Sequence, residues 1–155
     1  MPDYSAWNPV LADDIIRPLL ALEGPLLPIL HAIQQSFGHV PEAAVPMIAS
    51  RLNLSRAEVH GVVSFYHDFR EAPAGRHVLK ICQAEACQSL GAAKNVSDLL
   101  ARLGLQLGET TPDGRLTIEP VYCLGLCATA PAAMLDGEPH GRLDAGRLET
   151  LVSSL

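Results

Sequence analysis

The sequence predicts an α+β protein: an N-terminal helical bundle over residues 1–74, then a small α/β domain over residues 75–155. Three observations carry that reading. Apolar residues recur at helical spacing between Leu26 and Phe65. The run Glu71-Ala-Pro-Ala-Gly75 then breaks both helix and strand patterns, and beyond it short β-prone runs alternate with helical ones.

In the first part, Leu26, Leu27, Ile29, Leu30, Ile33 and Phe37 mark one face of an amphipathic helix, and Gly38 stands where a helix C-terminal glycine belongs. Ala44, Val45, Ile48, Ala49 and Leu52 outline a second helix, introduced by Pro41 and Glu42. Pro46 leaves its start open, because a proline beyond the first turn would leave a carbonyl unpaired. The third helix has the clearest boundary. Ser55-Arg-Ala-Glu58 fits a capping box, and Leu54 with Val59 fits a hydrophobic staple, which sets a helix from about Arg56 to Phe65.

Past Gly75, His77–Ile81 reads as a strand leading directly into Cys82, and Ala92–Leu103 reads as a helix. Pro112-Asp-Gly114 signals a turn. Leu116–Tyr122 follows as a second strand, Ala132–Leu135 as a third, and a last helix spans about Asp144 to Val152.

Composition narrows the function. With 48% hydrophobic and 18% charged residues the chain can build a core and is not of the disordered class. A net charge of -6, with Arg51, Arg56 and Lys80 isolated among apolar or acidic neighbours, argues against nucleic acid as a partner. The first residues lack the basic and apolar regions of a leader, and Glu23, Gly24, Pro25 and Pro28 interrupt the longest apolar stretches. The expectation is a cytoplasmic protein without direct membrane contact.

Four cysteines in a reducing compartment point to metal ligation or redox chemistry ahead of structural disulfides. Cys82-x4-Cys87 and Cys123-x3-Cys127 form two pairs separated by 35 residues, each pair just after an expected strand. Two loops leaving one sheet edge bring four thiolates together, the number that a 2Fe-2S cluster needs. The short residues Ala84, Ala86 and Gly125 would let backbone N–H groups approach the sulfurs. By spacing alone, a structural four-cysteine zinc site stays open, although its ligands usually come in C-x2-C knuckles. A thiol–disulfide exchange site would want C-x-x-C, which is absent.

The other candidates are weaker. His31, His39, His60, His67, His77 and His140 form no metal motif, although His60 and His67 would share a face if one helix ran through both. The glycines assemble into no dinucleotide or phosphate loop.

At the cysteine loops and beyond, the chain resembles the thioredoxin-like 2Fe-2S ferredoxin family, specifically the small subunit of NAD-linked diaphorase modules. The likeness covers roughly Leu26 to Leu155. It is carried by Leu27-Pro-Ile-Leu-His31, Phe37-Gly-His-Val-Pro41, Glu58-Val-His-Gly-Val-Val-Ser-Phe-Tyr66, both cysteine pairs, Gly125 and Ala130-Pro131. The resemblance implies a thioredoxin-like cluster domain behind the helices, with Cys82 and Cys87 on one iron and Cys123 and Cys127 on the other. It implies a flavin- and NAD-binding beta subunit as partner, bearing FMN, NAD and a 4Fe-4S cluster, and no substrate-turnover site on this chain. Phe65-Tyr-His-Asp-Phe-Arg70 and Cys82-Gln-Ala-Glu-Ala-Cys-Gln-Ser-Leu-Gly91 resemble most the gamma subunit of NAD-dependent formate dehydrogenases. That would add a molybdenum- or tungsten-containing formate-oxidising alpha subunit. The equivalent subunits of respiratory complex I and NAD-reducing hydrogenases are the related alternatives.

Overall fold

The computed structural model describes residues 4–155. They fall into two compact units, with the chain dividing between Pro73 and Ala74.

The first unit is helical: α1 (Pro9–Ile16) with a following 3-10 turn (Arg17–Leu19), α2 (Leu26–Phe37), α3 (Ala44–Leu52) and α4 (Arg56–Phe65). No helical periodicity is readable before Leu26, yet α1 has sound local reasons to form. Asn8 caps it, its Oδ1 accepting from the N–H groups of Val10 at 2.9 Å and Leu11 at 3.3 Å, and Pro9 occupies the first position, where no N–H is needed. Asp13 ties α1 onward, accepting from Arg17 at 2.8 Å and from Arg51 of α3.

The apolar faces meet in one core of Ile16, Ile29, Leu30, Ile33, Phe37, Ile48 and Val59, all nearly or fully buried. At the end of α2, Gly38 takes φ 77° and donates its N–H to the Gln34 carbonyl at 2.7 Å, the left-handed cap the sequence indicates. Pro46 is the third residue of α3, among the positions whose N–H has no partner inside the helix, and so it removes no bond. The capping box of α4 is complete, with Glu58 N–H on Ser55 Oγ at 3.1 Å and Ser55 N–H on Glu58 Oε2 at 2.8 Å. Because α4 stops at Phe65 and Tyr66 turns to extended backbone, His67 lies outside the helix and does not share a face with His60 through it. The chain after it folds back on α2: Gln34 Nε2 donates to the Asp68 carbonyl at 2.6 Å and Gln34 Oε1 accepts from Arg70 N–H at 2.7 Å.

The second unit runs β1 (His77–Cys82), α5 (Glu85–Ser89), α6 (Ala92–Leu103), β2 (Leu116–Val121), a 3-10 turn (Cys127–Thr129), β3 (Ala133–Leu135), β4 (Glu138–His140) and α7 (Ala145–Ser153). Its sheet has the order β2-β1-β3-β4, with β1 and β2 parallel and the other two pairs antiparallel. This is the mixed thioredoxin-like arrangement of an α+β protein. Leu79, Ile81, Leu116, Ile118 and Ala133 of the sheet bury against Val96 and Leu99 of α6 and Leu148 and Val152 of α7. Asp144 caps α7, its Oδ1 accepting from Arg147 N–H at 2.8 Å.

Pro120 stands in β2 without breaking the ladder. Ile118, two residues earlier, turns its N–H and carbonyl outward to Glu109 and Gly108, at 3.1 and 2.7 Å. By alternation Pro120 also points its ring nitrogen away from β1, on the edge side. Among the described residues no helix is long and apolar enough to cross a membrane.

Two outcomes test this account of α4. Gly61 lies inside the helix on its exposed side, and a Cβ there would meet nothing within 4 Å. Gly61→Ala is therefore expected to raise the unfolding free energy by about 0.5–1 kcal/mol in a denaturant titration. The hydrogen bonds from Ser55, its backbone N–H first, hold the Glu58 carboxyl below its usual range. A lowered pKa in the folded state adds stability above the unfolded-state value, and that stability disappears as the pH falls through the folded one. Glu58→Gln keeps the geometry of the cap without the charge. The unfolding midpoint of this variant should fall less than that of the parent on acidification below the ordinary glutamate value of about 4.3.

Candidate metal centre

β1 ends on Cys82 and β2 ends on Val121, and the parallel register sets these two residues opposite each other. The chain therefore leaves both strands at the same end of the sheet. Two bonds fasten the exits: Gln83 N–H donates to the Val121 carbonyl at 2.7 Å, and Cys82 N–H donates to the Ala132 carbonyl at 3.1 Å.

The two cysteine segments differ in form. The first, expected as open loop, winds after Ala84 into the short helix α5, which carries Cys87. The second has no helix between its cysteines. Cys123 has φ 94° and Gly125 φ 75°, and this turn brings Gly125 N–H within 3.3 Å of the Cys123 sulfur. Glycine suits the left-handed backbone at Gly125, whereas Cys123 adopts it against its own preference.

The pairs also differ in environment. Cys82 and Cys87 are buried, with 3% and 2% of their surface exposed, beside Ala92, Ala130 and Ala132. Cys123 and Cys127 are exposed, and their sulfurs stand 3.8 Å apart. Two thiolates on one tetrahedral metal, with bonds of about 2.3 Å, stand about 3.7–3.8 Å apart. The exposed pair thus already has the spacing that one metal ion needs.

Electrostatics tie the four thiols together. Burial opposes ionisation of Cys82, yet the backbone N–H of Ala84, the Cys87 thiol and the backbone N–H groups of Cys123 and Leu124 outweigh it and hold its thiol below the usual range. The segments meet beside Cys82, where Gln83 N–H is bonded to the Val121 carbonyl. Burial pushes Cys87 up, as do its bond to Cys82 and the charges of Cys82 and Cys127, against a backbone bond from Ala132. Cys127, although exposed, is pushed up chiefly by its bond to Cys123 and the charge of Cys123, with the charge of Cys82 adding to them. Thiolates that repel one another in this way need positive charge among them, which bound metal supplies.

All four sequence-predicted residues therefore lie at one sheet end, as two pairs. Among the described residues, no group of three or more His, Cys, Asp or Glu side chains forms a site for a single ion. Three of the histidines have contacts of structural kind: His31 packs on the Phe69 ring at 5.0 Å, His39 Nδ1 lies 3.0 Å from the Phe37 carbonyl, and His77 Nδ1 lies 2.6 Å from Asp136 Oδ2. The sequence reading does not single out the backbone of Ala132 at the site, because Ala132 stands at the start of the expected third strand, outside both cysteine segments.

Comparison with known proteins agrees with this geometry. The thioredoxin-like 2Fe-2S ferredoxin family model matches residues 12–155. A subunit of the NADH-quinone oxidoreductase of Pseudomonas aeruginosa is 40% identical over 112 residues, which cover 72% of this chain and 68% of that protein. The HndA subunit of the NADP-reducing hydrogenase of Solidesulfovibrio fructosivorans is 31% identical over 156 residues, covering 99% of this chain and 91% of that one. A crystal structure of NAD+-reducing NiFe-hydrogenase in the air-oxidized state superposes with a TM-score of 0.69 at 30% identity over 83% of this chain. The chain spans 22% of the length of that hydrogenase chain. A family match over nearly the whole chain, relatives above 30% identity and a mixed sheet with paired cysteines at one end agree. The chain belongs to the thioredoxin-like 2Fe-2S ferredoxin family, whose cofactor is one 2Fe-2S cluster.

Proposed function

We propose that Cys82 and Cys87 bind one iron of the cluster and Cys123 and Cys127 the other, and that the chain is the small electron-transfer subunit of an NAD-linked diaphorase module. The observation that carries the reading is the parallel register that sets Cys82 opposite Val121, so that the two cysteine segments leave the same end of the sheet side by side, joined by the bond from Gln83 N–H to the Val121 carbonyl at 2.7 Å. When bound, such a cluster supplies the uptake and release of one electron. The chain's part is to hold the sulfurs and to aim N–H donors at them, which favours the more negative, reduced form and raises its potential.

The family match favours the cluster over a structural zinc site. The partner in this reading is a flavin- and NAD-binding beta subunit carrying FMN and a 4Fe-4S cluster. This is supported by the names of the relatives, an NADH-quinone oxidoreductase subunit and an NADP-reducing hydrogenase subunit, and by the lack of a dinucleotide fingerprint in this sequence. The finer assignment is to a cytoplasmic NAD-dependent formate dehydrogenase with a molybdenum- or tungsten-containing alpha subunit. It rests on the likeness of the runs Phe65–Arg70 and Cys82–Gly91. The second reading, a subunit of an NADH-quinone oxidoreductase or hydrogenase, is favoured by the 40% identical relative.

Purified anaerobically, the protein should contain about two irons and two sulfides per chain, and dithionite should bleach it and produce a paramagnetic signal. One zinc without sulfide would overturn the cluster. Replacing any one of Cys82, Cys87, Cys123 or Cys127 by Ser should weaken or abolish cluster uptake; unchanged visible spectra in all four variants would overturn the ligand set. Co-purification decides the parent complex: a formate-oxidising molybdenum or tungsten subunit supports the finer assignment, and a nickel subunit or membrane subunits refute it.

A further inference from the structure

The exposed cysteine pair lies on a segment with little packing of its own. Cys123, Gly125, Cys127 and Ala128 are exposed, and Leu124 and Leu126 are only half-buried. What fixes it comes from elsewhere in the chain. Thr129, two residues past Cys127, closes the turn by donating both its N–H and its Oγ1–H to the Leu126 carbonyl, at 2.9 and 3.2 Å. Its own carbonyl accepts from Arg142 N–H at 2.6 Å, and the Pro131 carbonyl accepts from Leu143 N–H at 2.9 Å.

This pair of rungs forms only because residue 141 has no side chain. A Cβ on Gly141 would lie 2.6 Å from Thr129 Oγ1, 2.8 Å from its Cβ and 2.9 Å from its carbonyl oxygen, and two of these three atoms are a backbone atom and the rigid first atom of the side chain. The next residue, Arg142, is held at φ 55°, a left-handed conformation that arginine rarely adopts. Such a conformation persists where surrounding bonds over-determine it, and it clusters at functional sites. Here the bonds are evident. The Arg142 carbonyl accepts from Asp144 N–H at 3.1 Å and from its neighbour Arg147 Nη1 at 3.3 Å, and Leu143 is buried in the sheet core. A short path thus runs from the capped start of α7 to the segment bearing Cys127.

We infer that Gly141 and Thr129 are positioning residues for the cofactor: together with the backbone of Arg142 and Leu143 they form a clamp that fixes Cys127 in its place. The inference rests on the proposed ligand set, since it concerns where one of those ligands is held. The glycine serves close approach, the threonine hydroxyl locks the turn, and neither touches the metal.

The test uses the full chain in its cluster-bearing form, with Gly141→Ala, the isosteric Thr129→Val, and Gly61→Ala from the helical unit as a control. Three properties are measured: the electron paramagnetic resonance spectrum after dithionite reduction, the rate of iron release to a ferrous chelator, and the thermal unfolding of the protein. Both site variants should take up the cluster with shifted g values, and Gly141→Ala should release iron roughly ten-fold faster than the parent, the size of effect seen when residues behind metal ligands are altered. The control should match the parent in both. Spectra and release rates equal to the parent in both site variants overturn the inference, and so does a lowered unfolding temperature with an unshifted spectrum, because the role would then be structural only. Should Gly141→Ala fail to fold, Thr129→Val decides alone. A parent protein without iron and sulfide refutes the ligand set, not the clamp, so the two failures are distinguishable.

Discussion

The parallel register of β1 and β2 is the constraint from which the rest of the second unit follows. It is set by the core and not by the cysteines. Leu79 and Ile81 on one strand and Leu116 and Ile118 on the other are buried, and a slip by one residue would turn each set toward the wrong face. With the register pinned by apolar burial, Cys82 must lie opposite Val121, and the two cysteine segments must begin side by side. The hydrophobic effect, which has no direction of its own, thereby fixes where directional chemistry takes place.

A gradient runs across the four thiols. The pair on β1 and α5 is buried among alanines, while the pair after β2 is open to solvent. Burial alone would suppress ionisation of both inner thiols, but the donors from Ala84, Cys123 and Leu124 concentrate on Cys82 and reverse its shift, leaving Cys87 raised. The inner pair supplies a sheltered floor with oriented dipoles, and the outer pair supplies the side that another molecule can approach. In the proposed role both have a use, since shelter preserves the ligands and access shortens the distance to an electron-transfer partner.

Much of this was legible in the sequence, because the informative signals were local. The capping box at Ser55, the glycine after Phe37 and the strand run into Cys82 each describe a few adjacent residues, and each stands where expected. What escaped depends on contacts distant in sequence. The three-residue strand β4 exists by pairing with β3, and it contains Pro139, which no propensity would place in a strand. Helix α1 is short and lies between prolines, so its periodicity is too brief to read. Helix α5 is a single turn or so, closed by bonds from Cys87 and Gln88 N–H to the Ala84 carbonyl, within a stretch that reads as loop. At the site, the two cysteine pairs, and the small residues that let backbone N–H groups approach the sulfurs, were readable from the sequence, whereas the unequal burial of the pairs was not, because it belongs to the packing around them.

Pro120 has an effect wider than its own strand. The free border of β2 is occupied along Leu116–Ile118 by the segment Gly108–Thr111, and at Pro120 the next outward position has no hydrogen to offer. An extended chain arriving from solution would find no continuous row of donors and acceptors there, so this edge of the sheet is guarded against strand addition right up to the cysteine segments. Recognition at this end of the domain is thereby left to side-chain shape and charge, which can be matched and released, and not to main-chain pairing, which would hold indiscriminately.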